Sequence, residues 1–174
     1  MDAATKKAWT VSLFFTAAGV FGWMSAGLEN AETLPLLLYY GALIVNTFFS
    51  IQVLSAITPK STTQTVFDIT LVGIYCGLAF SFSSTATFSL VSAGLFMFSI
   101  AKYLHLSRIT TSSLKLLRRK IWINALGALL SLIAAGLAAL GSPLLAAWLL
   151  GVVFTLASIY LLTMGDMYRS DQAR

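Results

Sequence analysis

Apolar residues run through the chain in six long stretches separated by short polar breaks. Crossing about 30 Å of hydrocarbon takes roughly 20 helical residues at about 1.5 Å each, with shorter or longer runs tolerated by tilt. Stretches of that order cover Trp9–Leu28, Leu34–Ile57, Val66–Ser83, Phe88–Tyr103, Ile121–Leu140 and Pro143–Met164. The third and fourth are the shortest, which leaves a tight re-entrant pair as the alternative reading there. Lipid cannot satisfy an open backbone. The expected fold class is therefore all-α, a polytopic membrane protein with a six-transmembrane-helix bundle forming one integral domain over residues 1–174.

The positions of the charges orient this bundle. Lys6 and Lys7 precede the first span, and Lys60 lies between the second and third. Lys102, Arg108, Lys115, Arg118, Arg119 and Lys120 lie at or between the ends of the fourth and fifth, and Arg169 and Arg174 follow the sixth. Those are all eleven Lys and Arg, and every one falls on the same side; the opposite breaks hold Glu29 and Glu32 instead. Excess Lys/Arg marks the cytoplasmic side. Both termini are accordingly expected in the cytoplasm, with residues 104–120 a basic cytoplasmic linker and the bacterial inner (plasma) membrane the expected location.

Composition agrees and narrows the function classes. Apolar residues make up 58% and charged residues 10%, against about 45–50% and about 25% in soluble domains. The net charge of +5 therefore reads as topology, and no nucleic-acid partner is expected. Cys76 is the only cysteine and His105 the only histidine, so no disulfide, thiolate cluster or multi-histidine metal site is expected within one chain. The first apolar run is too long for a usual signal h-region, so no cleaved signal is expected. No P-loop, GxGxxG or HExxH motif occurs, and no nucleophile–base–acid set can be assembled. The reading is a non-enzyme without cofactor or metal.

Helices in lipid approach closely through small residues. Such stripes are Ala18/Gly22/Ala26, Gly73/Gly77/Ser81, Gly127/Ser131/Ala135/Ala139 and Ala147/Gly151/Thr155. Their ordinary role is to hold the monomer together; the stripe on the fifth span is the candidate oligomer interface. PLLLYYGALIVNTFFSI from Pro35 also aligns without gaps on PLLAAWLLGVVFTLASI from Pro143. If that is a repeat, the bundle is three parallel helical hairpins.

Ionisable and amide groups inside apolar runs are costly and mark functional candidates. Asp68 is the one acid in a span, near its cytoplasmic mouth, with Lys102 ending the next span on the same side. Gln52 and Asn124 lie at similar depth, and Asn46 is the deepest amide. Together they predict a polar network in the inner half of the bundle and a candidate translocation path. The plainer reading of Asp68 is a helix-start residue in Thr65-x-x-Asp68, compatible with pairing to Lys102. For Asn46 and Asn124 it is a single interhelical bond. His105 reads as a surface or interfacial residue, and Tyr39, Tyr40, Trp9, Trp122 and Trp148 as aromatic-belt residues.

In SSLKLLRRKIW, residues 112–122, Ser112 or Ser113 can cap a helix with Leu114, Leu117 and Ile121 on one face. Lys115, Arg118, Arg119 and Lys120 then suit anionic lipid headgroups, or an acidic cytoplasmic protein partner. Two functions compete. One is a small transport protein: a channel, an oligomeric pore or the membrane subunit of a transporter. The other is a membrane anchor, sensor or assembly subunit acting through a cytoplasmic partner. Either would act as a homo-oligomer or within a larger complex. The layout of six short-looped spans, with a small-residue motif on the first, resembles the substrate-binding membrane subunits of energy-coupling-factor vitamin transporters. That likeness is one of architecture and implies transport.

Overall fold

A computed structural model describes residues 2–27, 30–55, 58–59, 61–110 and 114–163. It consists of six helices: α1 Ala3–Ala26, α2 Thr33–Leu54, α3 Thr62–Ala79, α4 Thr85–Ile109, α5 Leu114–Ala139 and α6 Pro143–Thr163. Five are long and apolar enough to cross a membrane; α3, with 18 residues and Gln64, Asp68 and four threonines among them, is the exception. The expected all-α membrane bundle is what forms.

Local chemistry sets the helix ends. Asp2 caps α1 by accepting from the Thr5 backbone N–H at 2.7 Å, and that bond holds its carboxyl below the ordinary carboxylate range. Ser61 caps α3 through Gln64 N–H and Ser84 caps α4 through Thr87 N–H, each satisfying a first-turn donor. The α5–α6 turn is closed at Gly141, whose φ of 87° suits a residue lacking a β-carbon. Ser142 N–H reaches back to Leu137 and Gly141 N–H to Ala138, and Pro143 then opens α6 where its missing N–H costs nothing.

The helices close into a ring in the order α1, α2, α6, α5, α4, α3 and back to α1. Contacts fix the directions. Lys7 meets Asp68 near the starts of α1 and α3, and Gly22 meets Ala79 near their ends, so these two run parallel. Pro35 abuts Gly151 and Asn46 bonds Ser158, so α2 and α6 are parallel too. Asp68–Lys102 and Ser92–Ser131 make α3/α4 and α4/α5 antiparallel. Three hairpins therefore stand side by side. Around the ring, however, α1 to α2 turns in the opposite sense from α5 to α6. No rotation about the bundle axis superposes them.

The small residues serve this ring. A β-carbon on Gly22 would overlap the Ala79 carbonyl, one on Gly151 the Pro35 carbonyl, and one on Gly127 the Phe96 ring. The stripe on α5 faces α4, with Ser131 bonded to Ser92 at 2.9 Å. It thus packs inside the monomer rather than lying open as an oligomer face. Gly73 belongs to no contact, since nothing lies near its would-be β-carbon. In the half of the ring away from the basic end, Leu36, Tyr39, Tyr40, Leu78, Phe82 and Phe88 are buried to 1% exposure or less. Tyr39 stands edge-on to Phe88 and Tyr40 to Phe82, so this end is packed solid. Tyr39 and Tyr40 are thus core residues and not belt residues, because α2 is covered on both flanks by α1 and α6. Trp9, Trp122 and Trp148 remain exposed.

The polar breaks are shorter than the apolar pattern implied. α4 continues to Ile109 and α5 begins by Leu114, so most of the basic linker is helix. His105 lies on α4, half-buried against Phe67 at 5.7 Å between ring centres. Lys60, Ser112, Ser113, Glu29, Arg169 and Arg174 lie outside the described residues.

Candidate functional site

Within the ring, at the basic end, all six helices line a cavity of about 580 Å³. Small-molecule sites run to about 300–1,000 Å³. Along α1 its wall runs from Lys7 to Phe15, a rise of about 12 Å of helix. Its mouth is marked by side chains that reach solvent, Lys7 at 55% and Asp68 at 40% exposure. Its deep end is apolar: Phe15 stacks on Tyr75 at 4.1 Å, and Phe96 leans on Phe154 at 5.8 Å.

The mouth holds an ionic cluster contributed by three helices. Lys102 Nζ lies 2.6 Å from Asp68 Oδ1, and Lys7 Nζ lies 3.4 Å from Asp68 Oδ2. α3 begins at Thr62, capped by Ser61, rather than near Thr65, so Asp68 sits nearly two turns into the helix and is not its cap. Its carboxylate instead joins α1, α3 and α4. Lys120, also in the lining, is 7% exposed and donates to Ser50 Oγ at 2.7 Å, tying α5 to α2. Burying an ammonium in an apolar wall is expensive unless polar partners accompany it. Ser50, Tyr103 and the Asp68 cluster share that wall.

Deeper in, hydroxyls and amides join the helices. Asn46 Nδ2 donates to Ser158 Oγ at 2.5 Å and back to the Ala42 carbonyl at 3.2 Å. Asn124 Nδ2 instead bonds within α5, donating to the Lys120 carbonyl at 2.7 Å, and not across to a second helix as its place in the apolar run suggested. Thr47 bonds the Tyr75 hydroxyl, and beyond the cavity the Tyr39 hydroxyl bonds Ser92.

Four of the five residues read from the sequence as a polar network, Asn46, Asp68, Lys102 and Asn124, therefore line one cavity. Gln52 does not; its Nε2 donates to Thr5 Oγ1 at 3.2 Å and ties the end of α2 to the start of α1. Lys115, Arg118 and Arg119 are exposed on the first turns of α5, as headgroup or partner contacts require. Lys120 departs from that group because it faces inward. Sequence reasoning gave Lys7 only a topological role and passed over Ser50, Tyr75, Ser99 and Tyr103. For Lys120 a signal existed: Leu117, Lys120, Asn124, Gly127 and Ser131 follow the alternating three- and four-residue steps of one helix face. No family model, curated protein or solved structure matches the chain.

Proposed function

We propose that this protein is a small membrane transport protein whose cavity receives a solute from the cytoplasmic side. The observation that carries the reading is convergence: residues costly to place in lipid, from separate helices, meet around one space with a polar mouth and an apolar end. Every described Lys and Arg lies at the mouth end of the bundle, which by the positive-inside rule is the cytoplasmic end of a plasma-membrane protein. The packed aromatic half then closes the route to the other side, so passage requires that the ring loosen around Tyr39 and Phe88.

Reconstitution into liposomes tests this. Solute or ion flux should require the protein and should fall in Asp68→Asn and in Asn46→Leu, with the fold retained. Flux that neither variant alters would remove the cavity from any transport route. A second reading keeps support from Lys115, Arg118 and Arg119, whose exposed basic turn suits anionic headgroups or an acidic cytoplasmic protein. Under it, the chain anchors or senses for a soluble subunit. Native mass after gentle extraction separates the two: a homo-oligomer favours transport, and a stoichiometric soluble partner favours the anchor.

A further inference from the structure

We propose that the solute of this cavity is a lipid of the cytoplasmic leaflet, which inserts an acyl chain sideways through a slot between α5 and α6. Its movement rests on the transport reading, whereas its binding rests only on how these two helices pack.

One row of α6 shows the slot. Ala146, Leu150, Val153, Ala157 and Tyr160 follow alternating four- and three-residue steps and so share one side of the helix. Beside the Gly141 turn this row is sealed, with Ala146 and Leu150 at 0% exposure. Toward the basic end it opens: Val153 is 42% exposed, Ala157 is exposed and Tyr160 reaches 58%. α5 repeats the change. Ala134 is at 0%, while Leu130, Gly127 and Ile123 are half-buried and Leu126 is 63% exposed. The hairpin is thus tight at its turn and parted in its other half. The parted half belongs to the cavity, because Ile123, Leu126, Leu130, Val153, Ala157 and Tyr160 all line it. Apart from Lys7 and Asp68 at the mouth, the exposed members of the described lining all lie on these two helices. The cavity therefore reaches the outer surface of the bundle between them.

Depth identifies what adjoins this opening. Trp122 on α5 and Tyr160 on α6 are both exposed, and such aromatics mark the membrane interface at the basic end. From Tyr160 to Val153 the row rises about 10 Å, within the roughly 15 Å that one leaflet contributes to the hydrocarbon core. By the positive-inside rule that leaflet is the cytoplasmic one. Acyl chains, and not water, stand beside the slot. The walls behind it, Leu95, Phe96, Leu130 and Phe154, are apolar. A chain moving in thus exchanges one apolar surrounding for another and strips no polar group of water. Its headgroup can stay at the interface, where Lys115 and Arg118 are exposed on the first turns of α5 and suit an anionic phosphate.

Photolabelling of the full-length protein in nanodiscs tests the assignment, with phosphatidylglycerol carrying a diazirine on one acyl chain as the probe. Peptide mapping should find label on Leu95 or Phe96, which are buried in the cavity wall, as well as on outward-facing Leu13 and Phe21. Ala157→Trp and Val153→Trp each place a ring in the slot. Both should lose the interior label and keep the outer one. If one of them does not melt like the parent, the other carries the comparison. A water-soluble pentanoate bearing the same diazirine reports entry by the mouth, and the tryptophans should leave its labelling unchanged. Lipid label confined to the outer faces, interior lipid label that the tryptophan variants retain, or interior label from the pentanoate alone would each overturn the proposal. Its failure is separable from that of transport. Flux of a water-borne solute without interior lipid label leaves transport standing; interior lipid label with neither flux nor lipid movement between leaflets leaves a lipid-binding protein.

Discussion

Lys102 Nζ and Asp68 Oδ1 stand 2.6 Å apart, joining α4 to α3 in the cavity wall, while Lys7 approaches the other carboxylate oxygen at 3.4 Å. This cluster decides the status of Asp68. It is a junction of three helices at the mouth of the cavity.

Asp68→Asn removes the charge and keeps the shape. Because the carboxylate is 40% exposed, the loss in stability should be about 1 kcal/mol or less. Transport should change severalfold or more, since two lysines are left facing each other at the mouth. Thermal melting in detergent and liposome flux measure the two effects. A large loss of stability with unchanged flux would make the cluster a structural tie.

Gly151 and Gly22 carry the closest helix approaches, each against a backbone carbonyl that cannot turn aside. Gly151→Ala and Gly22→Ala should destabilise by about 1–3 kcal/mol, the usual range for overpacking. Gly73→Ala and Gly94→Ala meet open space, and should be neutral or slightly stabilising. Melting temperatures of the four variants make the comparison; equal shifts would contradict the ring packing.

The hydroxyl chain Tyr39–Ser92–Ser131 links α2, α4 and α5 where the cavity gives way to solid core. Tyr39→Phe and Ser92→Ala should each cost about 1 kcal/mol, and less than additively when combined, because both break the same bond. Additive losses in the double-mutant cycle would show the bond contributes nothing.

Much of this architecture was legible, and the misses share a cause. Hydropathy marks the part of a helix that meets lipid, so the α6 boundaries are legible almost to the residue, with Pro143 as the start. The starts of α1, α3 and α5 were placed several residues late, because their first turns are built of Lys, Thr and Arg. That error made Asp68 look like a cap. The network of Asn46, Asp68, Lys102 and Asn124 was legible because polar groups in lipid are costly wherever they fall. Lys120 was grouped with its exposed neighbours because charge alone does not distinguish them; only the phase of α5 does. Tyr39 and Tyr40 looked interfacial from their distance to a helix end. Their burial depends on α2 having neighbours on both flanks, which is a property of the ring and not of the segment.

The exposed turn at Lys115, Arg118 and Arg119 should hold the basic end against anionic lipid. Reversing all three to Glu should reduce association of that end with anionic bilayers by about 1 kcal/mol per residue, with the effect shrinking as salt rises. Exchange protection of the first turns of α5 in anionic against neutral nanodiscs reports this. Equal protection in both would leave the turn without a lipid role.

The most direct test of a cavity open on one side is side-specific labelling. Ser99 lines the cavity on α4, so Ser99→Cys in a Cys76→Ala background places one thiol in its wall. In sealed vesicles of each orientation, a membrane-impermeant maleimide should label it from the cytoplasmic face only. Labelling from the opposite face, or none from either, would contradict a water-filled vestibule entered at Lys7 and Asp68.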